Sequence, residues 1–214
     1  SIIGHGIFLD HHPWLHWSTR EDLDLLAERG VTVAHCPTVF MRRGIALNTL
    51  GGYLKAGVNI GIGTDTYPHN ILDEMRNAAT VARAVAGTVD DLNTSDIFEA
   101  ATIGGAKALR RDDIGRLAVG AKADLVLVDL KNQAMRPLRE PLRSLLYVAA
   151  ERAVRDVYVD GRLVVEGGKC LTIDLDAELT ALEAAQQRSM ARVPEIDFAN
   201  RTADEMAPMV YDVH

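Results

Sequence analysis

Along the first 110 or so residues, short apolar runs alternate with polar loops and amphipathic stretches. The runs are SIIGHG, GVTVAHCP and VNIGIGTD. They are rich in β-branched residues and lack strict apolar–polar alternation, the pattern of strands buried on both faces, as in a parallel sheet. Between them the period lengthens to that of a helix. Ser18 followed three positions later by Glu21 reads as a capping box that starts the first helix. Leu23, Leu26 and Ala27 give that helix one apolar face, and Gly30 ends it. A second helix is predicted over 46–56, closing at Gly57, and a third from near Asn70 to about Ala86. NTSDIFEAATIGGAKAL adds one or two shorter ones. Repeated strand–helix units of this kind indicate an α/β fold.

Near residue 113 the pattern changes. AKADLVLVDL reads as a strand, and VRDVYVDGRLVVEGG as two strands joined at Asp160-Gly161, a strong hairpin signal. From Asp174 an amphipathic helix over 174–192 carries Leu175, Leu179, Leu182 and Met190 on one side. Residues 194–214 are polar and read as an irregular tail. These changes divide the chain into 1–112, an α/β portion; 113–172, a small β module; and 173–214, a terminal helix and tail.

Composition narrows the function. The net charge of −7 argues against nucleic-acid binding, which normally needs a basic face. No run approaches 18 apolar residues, so no membrane span is expected. No basic segment precedes the first apolar run, so no secretory leader is read there. Cys36 and Cys170 lie far apart and are expected to be reduced thiols of a cytoplasmic protein.

Three of the predicted strands end in a group able to bind or polarise a ligand: His5, His35 and Asp65. In parallel α/β folds ligands sit beyond the carboxyl ends of the strands. Singly each residue is a weak signal, since a strand-end histidine is often structural and an aspartate can cap the next helix. Together, on successive strands, they point to a metal or acid–base site.

GHGIFLD, REDLDLLAERGVTVAHCP, LKAGVNIGIGTDT and DEMR, followed by ATIGGAKAL, IGRLAVGAKADLVLVDL and VRDVYVDGRLVVEGGK, resemble the amidohydrolase superfamily, in its deaminase and chlorohydrolase branch. The resemblance covers nearly everything from Ile3 to Lys169. It implies the C-terminal part, strands six to eight, of a (β/α)8 TIM-type barrel, followed by part of a small composite β-sandwich and a C-terminal helix. It also implies one divalent metal, usually zinc and sometimes iron. Asp65, closing the eighth strand, would ligate the metal and move the proton of the attacking water. His5, closing the sixth, would hydrogen-bond the water or the attacked atom, or bind the metal directly. His35, closing the seventh, would line the substrate pocket. The implied reaction is attack of activated water on a carbon bearing an amino, amide or halide leaving group. A hydantoinase- or dipeptidase-like cleavage of an amide on the same fold is a rival, and a non-catalytic assembly subunit is a rival of another class.

The chain departs from the family pattern in instructive places. It holds no His-x-His pair and no fifth-strand histidine. Three strand–helix units in roughly 110 residues fall short of the ~250 of a typical barrel. A second piece, in the same polypeptide or in a separate subunit, is therefore expected to supply strands one to five and most metal ligands. After His35 the chain reads CPTVFMRRG, and after Asp65 it reads TYPHN, where ring deaminases usually carry other residues. Arg42 there could pair with an anionic substrate group. Trp14, in DHHPWLHW, and His69 are further candidates for contact with a small-molecule substrate, with Tyr67 as a possible pocket wall. Glu74 and Arg76 read as an ion pair behind the site. The terminal helix and tail suggest that the completed enzyme is a homo-oligomer.

Overall fold

The computed structural model describes residues 1–211. By compactness the chain divides into Ser1–Leu163 and the residues from Val164 onward.

The first unit opens on a parallel three-stranded sheet. Strand β1 (Ile2–Gly4) leads through a long loop to helix α1 (Asp22–Glu28) and strand β2 (Thr32–His35). Two short helices, α2 (Pro37–Met41) and α3 (Leu50–Lys55), precede strand β3 (Asn59–Ile62), and the long helix α4 (Ile71–Ala86) follows it. The sheet order is β1-β2-β3, with Gly4, Ala34 and Gly61 in line across it. Sequence order thus equals spatial order, each parallel strand reaching its neighbour through a helical crossover.

The core lies where the apolar runs predict. Val33 and Tyr53 are fully sealed, and Ile60, Leu50, Met75, Ala79 and Ile97 pack beside them. Helix α5 (Thr94–Glu99) runs into a widened helical turn at Ala100–Gly104 and then α6 (Gly105–Ala108). At Gly104 that turn lies so close to β3 that a Cβ would sit 2.0 Å from the Ile60 carbonyl oxygen, so only glycine fits. Strand β1 differs from its neighbours: Ile2 and Ile3 are exposed, although parallel strands are ordinarily covered on both faces.

Two local signals are rearranged. The α1 boundary comes later than predicted, and no capping box joins Ser18 to Glu21. Instead the Asp10 carboxylate accepts from the Glu21 amide (2.6 Å) and, at longer range, the Asp22 amide (3.4 Å), while the Asp22 carboxylate accepts from the Asp10 amide at 2.8 Å. The cap comes from the loop after β1, twelve residues away, because that loop folds back over the helix start. The second predicted helix likewise shortens, beginning only after Thr49. By contrast α4 starts where expected, with Asn70 as its cap, the side chain accepting from the Leu72 and Asp73 amides.

Strand β4 (Leu125–Val128) pairs antiparallel with β5 (Val154–Val159). Between them lie a helical turn at Gln133–Met135, helix α7 (Pro141–Ser144) and two further turns, Leu145–Ala149 and Ala150–Ala153. Met135, Ala149 and Ala153 form a small core of their own. Asp160 and Gly161 both take positive φ in the two-residue link to β6 (Arg162–Glu166), as the hairpin signal predicts.

In the second unit β6 pairs antiparallel with β7 (Lys169–Cys170). Helix α8 (Leu175–Ile196) then runs for 22 residues, capped by Asp174, and buries none of them. The region read as an irregular tail holds a short helix, α9 (Ala203–Met206), with a complete capping box between Thr202 and Glu205. No helix among the described residues is long and apolar enough to cross a membrane.

Candidate active site

His5 and Asp65 sit just beyond the carboxyl ends of β1 and β3, and they converge. His5 Nε2 lies 3.4 Å from Asp65 Oδ2. Both residues adopt left-handed backbone, with φ of 63° and 50°. For side chains other than glycine this costs on the order of 1–3 kcal/mol each, and such strain gathers at functional sites. Here it swings each side chain off its strand axis toward the other.

Neighbouring groups hold the pair in place. The His5 amide donates to the Ala34 carbonyl at 2.8 Å, extending the ladder by one rung. The Phe40 ring, on α2, packs edge-on against the His5 imidazole at 4.5 Å. The Gly63 amide donates to the His35 carbonyl at 3.0 Å. A Cβ on Gly63 would lie 3.1 Å from the Cys36 sulfur, so the backbone leading to Asp65 packs directly on that thiol. Burial first, then the nearby Asp65 and Glu74 carboxylates, push the Cys36 thiol up to about 11, which keeps it protonated.

The pair fits a metal as far as two ligands can. A separation of 3.4 Å is longer than a charge-assisted hydrogen bond of roughly 2.7–2.9 Å. It is close to the ~3.3 Å expected between two ligands bound at about 2.0–2.1 Å to one tetrahedral ion. His5 Nδ1 is buried without a hydrogen-bond partner among the described residues, and the Asp65 side chain remains half open to solvent. Among the described residues no group of three or more histidine, cysteine, aspartate or glutamate side chains gathers to hold an ion. A zinc site with a free position needs about three protein ligands, so this pair is a partial donor set.

The other candidates fall into different settings. His35 is buried beside Ile7, Pro37, Phe40 and Leu47 in a small apolar crevice. Burial, reinforced by the charge of nearby His5, lowers its pKa to about 4 and keeps the ring neutral near pH 7. Trp14 joins an aromatic cluster with Phe8 and His12, at centroid distances of 6.1 and 5.6 Å. His12 is itself buried and accepts from the Trp14 amide through Nδ1, so it is a folded-in part of the loop. Arg42 lies over the exposed Tyr67 ring at 4.8 Å. His69 Nδ1 is 3.3 Å from the Thr64 hydroxyl, one residue before Asp65.

One buried polar position beside the pair escaped the sequence reading. Glu74 does not pair with Arg76, whose guanidinium goes to Asp73. The Glu74 carboxylate is almost fully buried and accepts from the Thr38 amide at 3.1 Å, while Asn77 donates to the Thr38 hydroxyl at 2.8 Å. Together they pin the start of α2, the helix that sets Phe40 against His5. The only signal in the sequence was a carboxylate on the apolar side of α4, next to Met75 and Ala78.

The same architecture occurs in known proteins. Two 5-methylthioadenosine/S-adenosylhomocysteine deaminases are similar in sequence. That of Natronomonas pharaonis is 37% identical over 83% of this chain and 40% of its own length. That of Desulforudis audaxviator is 36% identical over 80% of this chain and 41% of its own. An adenosine deaminase of Xanthomonas campestris, crystallised with bound zinc, superposes with a TM-score of 0.78 at 33% identity, over 87% of this chain and 42% of that one. An atrazine chlorohydrolase of Arthrobacter aurescens, in complex with zinc and atraton, gives 0.75 at 25% identity, over 86% and 40%. The chain thus spans about two fifths of the length of these relatives. The model of the amidohydrolase family matches residues 1–164, and the chain belongs to that family.

Proposed function

We propose that this chain carries the catalytic carboxylate and imidazole of a metal-dependent hydrolase that removes an amino group from a planar heteroaromatic ring. β1, β2 and β3 are then strands six to eight of a (β/α)8 barrel, and the β4–β7 strands belong to a composite sandwich. The remaining strands and metal ligands come from a segment not described here, in the same polypeptide or a separate subunit. The observation that carries the reading is the convergence of His5 and Asp65, both in strained backbone, at the carboxyl edge of a parallel sheet. The deaminase names and bound zinc of the relatives favour ring-amine chemistry and zinc.

Asp65 and His5 would hold the ion with those further ligands. When bound, a divalent cation supplies the Lewis acidity that brings the pKa of water down to about 7. Asp65 then serves as base: an oxygen of its half-open carboxylate accepts the proton of the attacking water and later returns it to the departing amine. His5 Nε2, directed into the same space, donates a hydrogen bond to the oxygen or ring nitrogen on which charge develops. Phe40 fixes the plane of that imidazole. The cluster of Phe8, His12 and Trp14 offers a flat apolar wall for a ring, and Arg42 over Tyr67 offers a cation for an anionic substituent.

In the full-length protein, Asp65→Asn should lower kcat for an adenosine-type substrate by at least about 10²-fold and reduce bound metal, read by elemental analysis. His5→Ala should lower kcat severely and retain more of the metal. Unchanged turnover in Asp65→Asn overturns the role given to that carboxylate.

A further inference from the structure

Arg42 is a cation without a counter-ion in an acidic chain. The net charge is −7, and Arg76, Arg111, Arg155 and Arg201 each pair with an aspartate. Among the described residues no carboxylate takes Arg42; its guanidinium lies over the Tyr67 ring instead, 4.8 Å from the centroid. The next residue, Arg43, is engaged differently, its side chain donating to the Val39 carbonyl within α2. Tyr67 is itself 74% exposed. A cation over an exposed ring is weakly held, and its fork of N–H donors stays available to an anion.

The fold fixes where that cation stands. Arg42 closes α2, two residues after Phe40, and Phe40 packs on the His5 ring at 4.5 Å. Tyr67 comes two residues after Asp65. Two residues span at most about 7 Å, so the contact between Arg42 and Tyr67 is tethered from both sides to the His5–Asp65 pair. Both residues lie on connections that leave the carboxyl ends of β2 and β3, and in a (β/α)8 barrel such connections build the mouth of the site. Asp65 does not draw Arg42 to itself: its Oδ2 faces His5 Nε2 at 3.4 Å. Carboxylate and guanidinium are thus kept apart along one rim, the first for the reacting carbon and the second for a charge elsewhere on the same molecule.

We propose that the substrate is a ring amine bearing an anionic arm, a carboxylate or a phosphate, and that Arg42 braced on Tyr67 is the residue that selects it. This rests on the deaminase reading above and adds the charge of the substrate to it. The full-length protein loaded with zinc tests it on three compounds that share one ring: adenosine, its 5′-carboxylic acid and its 5′-monophosphate, followed by ammonia release. For one or both anions kcat/KM should exceed that for adenosine by at least about tenfold, chiefly through KM, and the preferred arm identifies the group. Arg42→Ala should reduce that ratio at least about tenfold, and Arg42→Lys, which keeps the charge and loses the fork, should restore part of it. Each ratio is taken within one preparation, so a loss of folded protein cancels. In calorimetric titrations the preferred arm on the product ring, as inosine 5′-carboxylic acid or 5′-monophosphate, should bind more tightly than inosine, and Arg42→Ala should abolish the difference. Adenosine turned over as well as both anions, or an anion preference that survives Arg42→Ala, overturns the proposal and leaves the deaminase reading standing. Turnover of none of the three overturns the deaminase reading for this ring, and the proposal falls with it.

Discussion

Around β3 and along α8 the same kinds of side chain meet opposite fates. Ile60 and Val33 are sealed in the sheet core, while Leu175, Leu179 and Leu182 are exposed on a helix with no buried residue. Both segments follow a regular apolar pattern, so pattern alone does not report burial. In the sheet, three parallel strands and their crossover helices supply each other's cover. Helix α8 has an apolar side, yet no residue along it is buried. Strand β1 lies between these cases, paired on one edge yet exposed at Ile2 and Ile3.

This contrast can be broken most sharply in the core. Ile60→Ala should cost about 2–5 kcal/mol in chemical denaturation, since the side chain is enclosed and the sheet cannot collapse around the hole. A loss below about 1 kcal/mol would mean that β3 is not packed as described.

Glu74→Ala should come next, at about 1–3 kcal/mol, because it strands the Thr38 amide without its acceptor. It should also lower kcat more than it raises KM, since α2 carries the ring that holds His5. Glu74→Gln keeps an acceptor and should recover most of both quantities. Equal loss in the two variants would assign Glu74 a role beyond holding that amide.

The two thiols compare the regions directly. Cys36 is buried and its pKa is raised, whereas Cys170 is exposed and its pKa is lowered by hydrogen bonds from Thr172. Iodoacetamide at pH 8 should label Cys170 at least tenfold faster, and Cys36 should react only after unfolding. Equal rates, followed by peptide mapping, would refute the packing at Gly63.

The smallest effect lies at the end of α8. Hydrogen bonds from the Arg201 side chain and backbone hold Asp197 down at about 2, below the ordinary 3.8. The folded-state value is depressed, so this interaction stabilises fully above pH 3.8 and is lost as pH falls through about 2. Any difference in thermal stability between the native protein and Arg201→Ala should therefore shrink over that interval and vanish below it. A difference that persists at pH 1.5 would assign the arginine another role.

The convergence of His5 and Asp65 rests on signals that are local. A strand that stops on Asp65 after Gly63-Thr64, another that stops on His5 after Gly4, and a helix that starts near Asn70 can each be read within a few residues. The Asp160-Gly161 turn is of the same kind. What escaped were pairings between segments. Ser18 and Glu21 have the spacing of a capping box, yet Asp10 caps α1 because its loop folds back over the helix start. Glu74 and Arg76 are neighbours in sequence, yet Glu74 turns inward to Thr38, 36 residues away, while Arg76 takes Asp73. His35 ends its strand just as His5 does, yet it is enclosed by Ile7, Phe40 and Leu47.

By itself the sequence determined the order of the strands and main helices, the Asp160-Gly161 turn, and which strands end in histidine or aspartate, because those features follow from backbone preference and apolar periodicity over a few residues. Only the tertiary structure decided that His5 and Asp65 meet while His35 is sealed away, and that a distant carboxylate anchors the helix beside them. Left-handed backbone at two residues and packing between segments tens of residues apart set those outcomes, and neither is written in the local pattern.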